Sequence, residues 1–483
     1  MKALLLGALL GAVVVFDPVA TTYLLRDFSW LRDVPYLLSI TTALIVGIAF
    51  AVRRFVPQLV TAVIHDYWRY FPLLFLVAYQ FTGVTAGPLD ATEIMIGVFM
   101  LLFLGALFMR PEQRFVSTPF NVLHAALVIA LALSLISQLK VFAFWKAFKP
   151  LVVFFLLVNF LPREGVLQSF LRWLVILAML SSVFGLVQEL AWGAFRVRLS
   201  FLPEKALKDM FEVHFGVPVF RPPALMTGYR SLALYLATAL MLVLSALLAP
   251  RDTQPLLPRR WLYVAVVLIG STLGLTLAKD IYIGVGAGLV LLLLVYRPSR
   301  IVPLSVAGLA GAVAVVTVIA IVPGNVDTAL DLSRTVPRAE QERIRLDRDS
   351  IEGFLHGPYL WTGRGVGSGA RYTAHTRSWP AHNAFILAAA ELGIVGLTIY
   401  LLIYGLVIVR AIALNIMVTG GPYLILVRSL LPIVVIVLAG AQFEANYLDE
   451  FVWTIFATIE ATWIVVCRQA RAGTEPLADT GTG

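Results

Sequence analysis

Long apolar runs recur along the chain, and they constrain its fold more than any other feature of the sequence. A helix needs about 20 apolar residues to cross a bilayer, and 60% of the 483 residues are hydrophobic. Only 13% are charged, against about 25% in soluble domains, which excludes a soluble enzyme. So much apolar sequence also excludes a disordered chain. The sequence predicts an all-α polytopic integral membrane protein with about 12–14 transmembrane helices and two structured outer loops.

The apolar runs give the predicted spans, with bounds good to a few residues. They are 3–16, 36–52, 69–84, 92–109, 120–138, 150–161, 171–192, 231–249, 261–278, 281–297, 303–323, 384–406, 422–440 and 449–467. Runs 3–16 and 150–161 are short and could be tilted or partial spans. Run 3–16 follows Lys2 and could instead be a signal peptide, but Asp17–Ala20 is a poor cleavage sequence.

Basic residues in the short loops predict the orientation, because Lys and Arg concentrate in cytoplasmic loops. Alternation from an inside N-terminus places nearly every short basic loop in the cytoplasm, whereas the turn at 85–93 on the opposite side carries only acidic charge. Both termini are therefore predicted to lie in the cytoplasm. In such a protein the net charge of +9 indicates inner loops in contact with anionic membrane lipids rather than nucleic acid.

Four basic clusters fall on the outer side, against this rule. They are Lys140 with Lys146 and Lys149, the segment Arg196–Arg230, Lys279, and eight arginines between Arg334 and Arg377. They could be solvated loop surface. They could also form a site for an anionic ligand at the membrane surface, such as a lipid-linked phosphate or pyrophosphate, which guanidinium and ammonium groups bind strongly.

Two long outer connections divide the chain. The predicted regions are N-terminal transmembrane helices (1–192), a first large outer loop (193–230), central transmembrane helices (231–323), a second large outer loop (324–383), C-terminal transmembrane helices (384–467) and a disordered cytoplasmic tail (468–483). Within the second loop, residues 337–355 predict a short surface helix, with Ile344, Ile351, Phe354 and Leu355 on one face. The glycine run Gly363–Gly369 could cradle a phosphate with its amides or form a plain turn.

A histidine motif follows the second loop. His382-Asn383 precedes nine residues and then Gly393-Ile394-Val395-Gly396, at the start of a predicted span. Taken alone, such a histidine could be a satisfied interface residue. The whole pattern, with the glycine run before it, resembles the signature of the O-antigen ligase and polymerase superfamily. The resemblance covers about residues 190–483 and is most specific over 363–397.

The resemblance implies a membrane glycosyltransferase of the bacterial cytoplasmic (inner) membrane, acting at its outer, periplasmic face. Its donor would be an undecaprenyl-pyrophosphate-linked glycan. Ligases of this superfamily transfer the glycan to lipid A-core in lipopolysaccharide biosynthesis, and polymerases join repeat units of a cell-envelope polysaccharide. Both reactions are metal-independent and need no cofactor. The shared motif does not separate a ligase from a polymerase.

The resemblance also implies roles for individual residues. His382 would be the general base, since neutral imidazole is suited to deprotonating a sugar hydroxyl. One family arginine that holds the pyrophosphate lies in the loop matching 193–230, where the candidates are Arg198, Arg221 and Arg230. The other follows a Thr-x-Ser pattern at the outer end of a span. Here Lys279 replaces that arginine, which keeps the charge but loses the bidentate fork.

Three further residues complete the predicted substrate-binding set. A late outer carboxylate is typical of the family, and Glu444 is the best match to it. Arg364 lies in the glycine run and Asn383 in the histidine motif. No His, Cys and carboxylate group shows convincing metal-ligand spacing, so no metal site is expected.

Two other functions remain open from the sequence. A different multispan glycosyltransferase would use a polyprenyl-monophosphate sugar and acidic residues of the first outer loop, where Asp27 and Asp33 lie. A glycolipid transporter or flippase would show internal repeats and charges along a midplane path. The sequence shows no clear repeat, and its charges cluster at the outer face.

Overall fold

The computed structural model describes most of the chain between Pro57 and Ala472. The described residues are 57–82, 85–86, 89–109, 116–137, 141–195, 211–214, 217–250, 253, 256–296, 346–347, 350–352, 354–355, 359–368, 382–443 and 449–472. The predicted spans 3–16, 36–52 and 303–323 lie outside them.

Within the described residues, eleven helices and four short strands follow one another along the chain. They are α1 Pro57–Gln80, β1 Thr85–Ala86, β2 Leu89–Asp90, α2 Ala91–Met109, α3 Pro119–Ser137, α4 Val141–Phe160, α5 Val166–Phe195, β3 Phe211–His214, β4 Val217–Phe220, α6 Tyr229–Leu248, α7 Arg259–Leu275, α8 Lys279–Tyr296, α9 Ala384–Met417, α10 Leu424–Phe443 and α11 Glu450–Ala472. The strands form two antiparallel hairpins, β1–β2 and β3–β4.

The helices confirm the predicted all-helical polytopic membrane fold. Six helices of the described part are long and apolar enough to cross a membrane. They are α5, α6, α8, α9, α10 and α11, with spanning segments Val166–Phe195, Tyr229–Leu248, Lys279–Tyr296, Ala384–Met417, Leu424–Gln442 and Glu450–Ala470. Apolar helices of this length satisfy every backbone hydrogen bond within themselves, which is what a bilayer demands of a spanning segment.

The chain separates into two compact units. One consists of residues 1–71 with 97–115, and in its described part the rings of Phe71 and Phe99 pack 4.9 Å apart. The other consists of 72–96 with 116–483 and holds the large helical bundle. In this bundle α6 contacts α5, α7, α8 and α10. Its residues from Leu232 to Val243 are all buried, as a helix that is apolar on every side requires.

Small residues allow the closest helix contacts in the bundle. Gly284 and Gly288 of α8 face α10: an added Cβ at Gly284 would lie 2.9 Å from the Cα of Ile436, and one at Gly288 would lie 3.1 Å from the Pro432 carbonyl oxygen. Glycines four residues apart let two helix backbones approach closely, which favours association in lipid. The extensive α8–α10 contact follows from this pair.

The helices α6, α10 and α11 define two ends of the bundle. At one end the Ser245 hydroxyl of α6 donates to the Ile425 carbonyl at the start of α10, 2.6 Å away. At the other end α10 finishes and α11 begins. We call this second end the outer end, following the predicted orientation.

Helix α4 is longer than its apolar run predicts. The run begins at Pro150, whereas the helix begins at Val141 and carries Pro150 inside it. The extra turns contain Lys149, whose amino group lies 3.5 Å from a Glu93 carboxylate oxygen and 2.5 Å from a Glu450 carboxylate oxygen. Paired in this way, a lysine can be buried in a helix that hydropathy alone would shorten.

Candidate functional site

The helix that follows the histidine motif is broken at Gly393. This residue has φ 72° and ψ −173° inside α9, a conformation that only glycine adopts readily. The ring of Phe385 lies 5.6 Å from that of Tyr400 and 5.4 Å from that of Tyr404. In a straight helix the backbones at positions 385 and 400 would be about 22 Å apart. Residues 384–392 therefore fold back along the residues that follow Gly393, as a helical hairpin.

The glycine run caps both helix ends at this break. The amides of Arg364 and Gly365 donate to the carbonyls of Ala390 and Glu391, each at 3.0 Å. In the other direction, the amide of Ile394 donates to the Leu360 carbonyl at 2.9 Å. A break leaves unpaired carbonyls on one side and unpaired amides on the other, and one segment, 359–368, satisfies both.

Glycine is needed on both sides of this contact. A Cβ at Gly363 (φ 70°) would overlap the Glu391 carbonyl, and one at Gly393 would overlap the backbone of Trp361. The second glycine of the motif, Gly396, is needed for a different contact, since a Cβ there would overlap the Leu392 side chain. The Gly-x-x-Gly spacing therefore places one glycine at the hairpin turn and the other at the first close contact between its two arms.

Glu391 extends the same cap into a side-chain contact. Its carboxylate is buried and accepts a hydrogen bond from the Gly367 amide at 2.9 Å. Three of the amides that a phosphate cradle would use, those of positions 364, 365 and 367, therefore donate to α9 instead. The glycine run therefore has a structural role at the break in α9, and the Arg364 side chain within it is half-buried.

His382 and Asn383 lie at the start of the folded-back segment. The Asn383 carboxamide oxygen accepts from the amides of Phe385 and Ile386 at 2.9 and 3.2 Å, which makes Asn383 the N-cap. Its Nδ2 donates to the Gln442 side-chain oxygen at 3.0 Å, at the end of α10. The His382 amide donates to an Asp347 carboxylate oxygen at 3.0 Å. The backbone on both sides of the half-buried His382 is therefore fixed.

Contacts along α9 and α10 fix the level of His382 in the bundle. The Asn415 side chain donates to the Val427 carbonyl at 2.9 Å, and from there Gln442 lies about 22 Å further along α10. The same rise along antiparallel α9 leads back to Tyr400. The histidine motif is thus level with the outer end of α10, while Gly393 projects about 10 Å beyond it. The part of α9 that lies alongside α10 therefore begins after Gly393.

Two predicted arginines meet on one aromatic ring. The guanidinium carbon of Arg221 lies 3.8 Å from the centre of the Tyr229 ring, and that of Arg230 lies 5.7 Å from it. Hairpin β3–β4 ends directly before Arg221, and Tyr229 and Arg230 open α6. Stacking on an aromatic face holds a guanidinium in place while leaving its edge N–H groups directed outward.

Lys279 occupies the first position of α8, exposed, after a tight turn. The turn contains Leu277 with φ 51°, a left-handed conformation that costs energy in a non-glycine residue. The last turns of α7, directly before this turn, and the Arg221 segment meet on α5. A Cβ at Gly185 would lie 2.9 Å from a Thr272 methyl carbon of α7 and 3.7 Å from Pro222.

Some of the residues predicted on the outer side do not lie among the site residues described above. Arg198 and Glu444 lie outside the described residues. Lys149, one of the outer basic residues, is buried between Glu93 and Glu450 and is part of the helix packing. In the second loop, described residues from Leu346 to Leu355 are helical, but the buried side chains are Leu346, Ser350 and Phe354. The predicted apolar face therefore differs, because Ile351 and Leu355 are exposed.

Sequence reasoning missed three residues that organise the site: Asp347, Glu391 and Gln442. Asp347 lies in the predicted surface helix of the second loop, Glu391 lies inside the apolar run 384–406, and Gln442 lies two residues beyond the run 422–440. A carboxylate or carboxamide in an otherwise apolar helix end is a signal that could have drawn attention to the last two. Among the described residues, no group of three or more His, Cys, Asp or Glu side chains is arranged to hold a metal ion.

The fold and the site define a class: a polytopic membrane protein with a histidine at the cap of a broken helix, and cations at the same end of the bundle. The O-antigen ligase family matches residues 264–401, from α7 through the second outer loop into α9. Over this part of the chain the match bears out the resemblance to the O-antigen ligase and polymerase superfamily that the motif predicts. No curated protein matches the chain at the level required of a relative.

The described helices are those of a polytopic membrane protein. The match to the O-antigen ligase family implies, in general terms, a glycosyltransferase-like activity in polysaccharide biosynthesis at the bacterial inner membrane. It likewise implies a lipid-linked glycan and an acceptor as partners. The matched region contains the broken helix, the glycine run and Lys279.

Proposed function

We propose that this protein transfers a glycan from undecaprenyl pyrophosphate to a sugar hydroxyl of an acceptor, at the outer face of the inner membrane, with His382 as general base. The observation that carries the proposal is the anchored position of His382. It lies at the outer end of the bundle, in the region that matches the O-antigen ligase family, with its backbone held by Asp347 and by the Asn383 cap.

The proposed reaction breaks one C–O bond and forms another. The acceptor oxygen attacks the anomeric carbon of the donor, its proton passes to the neutral imidazole of His382, and the bond from that carbon to the pyrophosphate oxygen breaks. The products are the lengthened glycan and undecaprenyl pyrophosphate. No metal or cofactor enters this scheme, because the base is a side chain and the leaving group is already a good one.

Charge on the pyrophosphate rises as its bond breaks, and fixed cations stabilise that charge best in a poorly hydrated site. Arg221 and Arg230 supply such cations, since the ring of Tyr229 orients them both. Lys279 and Arg364 are further candidates at the same end of the bundle. Arg198 and Glu444 remain proposals from the family pattern. The Asn383 carboxamide is engaged in the cap and in the contact with Gln442, so we assign it a positioning role.

The deciding experiment is transfer by the purified, reconstituted protein with an undecaprenyl-pyrophosphate-linked donor. His382→Ala should reduce turnover by about 100-fold or more, while the protein inserts and unfolds as the parent does. The parent rate should fall as the pH is lowered through the range in which imidazole takes up a proton, because only the neutral form accepts one. Arg260→Ala, an exposed change at the opposite end of the bundle, is the matched control.

The same assay separates the competing functions. Turnover by His382→Ala equal to that of Arg260→Ala would overturn the proposal. Transfer from a monophosphate-linked donor alone would favour the other glycosyltransferase class, and loss of outer-leaflet donor without product would favour a flippase. Offering either lipid A-core or a second donor molecule as the acceptor then distinguishes a ligase from a polymerase.

A further inference from the structure

Asp347 is the link between the second outer loop and the histidine motif. One of its carboxylate oxygens accepts the His382 amide at 3.0 Å, across 35 positions of sequence. Charge-assisted hydrogen bonds of this kind are stronger than neutral ones. The bond also places a negative charge at the N-terminus of the 384–392 segment, where the helix dipole favours it.

Burial fixes the helix that carries Asp347. Leu346, Ser350 and Phe354 recur every four residues and are buried, so this face packs against the protein. Glu352 and Leu355, in contrast, are exposed. Because Asp347 directly follows the buried Leu346, its backbone lies beside a packed side chain, and its carboxylate is held at a defined place.

The two ends of the histidine segment are then controlled by different parts of the second loop. The glycine run caps the break at Gly393, and Asp347 holds the residue before the N-cap at the far end. His382 is the residue at which this second attachment is made. The Asn383 cap and its contact with Gln442 act one residue further on, so the bond from Asp347 is a separate restraint on His382 itself.

We infer that Asp347 is a positioning residue: through the backbone of His382 it holds the imidazole where the acceptor hydroxyl must deliver its proton. The inference rests on the proposed function. It makes no use of Asp347 in binding substrate or in proton transfer. Its role is to keep the general base within hydrogen-bonding reach of the reacting oxygen, since small displacements of a catalytic group slow a reaction strongly.

The first test reads the contact itself and does not depend on activity. Hydrogen exchange of the full-length protein in detergent or nanodiscs is followed by mass spectrometry in peptides covering 378–386. Asp347→Ala should speed exchange of one amide, that of His382, by about tenfold or more. The amides capped by Asn383 should keep their protection. Glu352→Ala, on the exposed face of the same helix, should leave the whole peptide unchanged.

The second test reads the consequence for transfer. Asp347→Ala should lower kcat by about tenfold or more, with the donor KM changed less than about threefold. Asp347→Asn should retain most of kcat, because its carboxamide oxygen can still accept the His382 amide. Equal melting temperatures for both variants and for Glu352→Ala would separate a positioning effect from general loss of stability.

Each outcome has a definite meaning. Parent-like exchange and parent-like kcat in Asp347→Ala would overturn the inference, and so would a loss that appears only in the donor KM. If His382→Ala is fully active, the proposed function fails, while the exchange result still decides whether the contact exists. If His382→Ala is inactive and Asp347→Ala is unaffected, only the positioning role fails.

Discussion

A side chain at Gly393 would reach within 2.6 Å of the amide nitrogen of Gly363. The two glycines come from different segments, one from the helix break and the other from the loop that caps it. Their contact joins the outer loop to the histidine segment, and it accounts for the glycines of the family motif by geometry alone.

Gly393→Ala should disrupt this junction. Alanine at φ 72° is strained, and its methyl group would overlap the Trp361 backbone, so we expect a loss of about 1–3 kcal/mol in stability and a marked loss of transfer. Gly405→Ala is the control, because it lies in the same helix with open space around it. It should keep full activity. Melting of both detergent-solubilised variants measures the difference, and equal stability would contradict the hairpin.

Arg221→Ala should weaken use of the donor. Loss of a charge-assisted bond to phosphate predicts a donor KM about 10-fold or more higher, with less effect on the acceptor KM. Tyr229→Leu removes the ring that lies 3.8 Å from the guanidinium and should produce a smaller effect in the same direction. Steady-state kinetics with both substrates checks this. An acceptor-only effect would place Arg221 at the other subsite.

Lys149→Met should destabilise the bundle. The change leaves the buried Glu93 and the half-buried Glu450 without the cation between them, and removing one partner of a buried pair typically costs about 3–5 kcal/mol. Lys146→Met, three residues earlier and exposed, should leave the melting temperature nearly unchanged. A melting temperature for Lys149→Met equal to that of Lys146→Met would show that the cluster contributes nothing to stability.

Gly284→Ala should loosen the pairing of α8 with α10. The methyl group would lie 2.9 Å from the Ile436 Cα, a backbone atom that cannot move aside alone. Gly286→Ala, two positions along the helix and facing open space, should be neutral or slightly stabilising. Comparison of the two melting temperatures tests whether the small-residue face holds these helices together, and a Gly286→Ala variant that melts first would reverse the assignment.

The predicted sidedness can be tested with thiol labelling, because Cys467 is the single cysteine of the chain. In a Cys467→Ser background, Glu352→Cys should react with a membrane-impermeant reagent in spheroplasts. Arg260→Cys should react only after the membrane is permeabilised. The reverse pattern would place the histidine motif in the cytoplasm and exclude the proposed reaction.

Hydropathy predicted most of the helical bundle, because long apolar runs have few alternatives in a bilayer. The hydropathy prediction failed where oppositely charged side chains neutralise one another inside the bundle. Lys149 shortened the predicted α4, although its two carboxylate partners allow it to be buried. Hydropathy also gave no sign of the break at Gly393, because a buried segment that folds back is as apolar as one that continues straight.

For the candidate site, the sequence suggested which residues to consider but not how they are arranged. The motif indicated His382 and the basic loops indicated Arg221 and Arg230, since charge placed against the insertion rule is visible in sequence. The contacts of Asp347 and Gln442 with the histidine motif span 35 and 59 positions. No local pattern encodes such pairs, because they depend on how the outer loop and α10 dock.

The break at Gly393 has a consequence for how the protein is made. Among the described residues, the carbonyls of Ala390 and Glu391 and the amide of Ile394 find their partners in residues 359–368, which precede α9 in the chain and lie on the outer side in the predicted orientation. The helix after Gly393 carries its own backbone hydrogen bonds, whereas the break is completed only when this segment has folded against it. In that orientation we expect membrane insertion and completion of the histidine segment to be separate events in biogenesis, and a chain halted between them would be inserted but inactive.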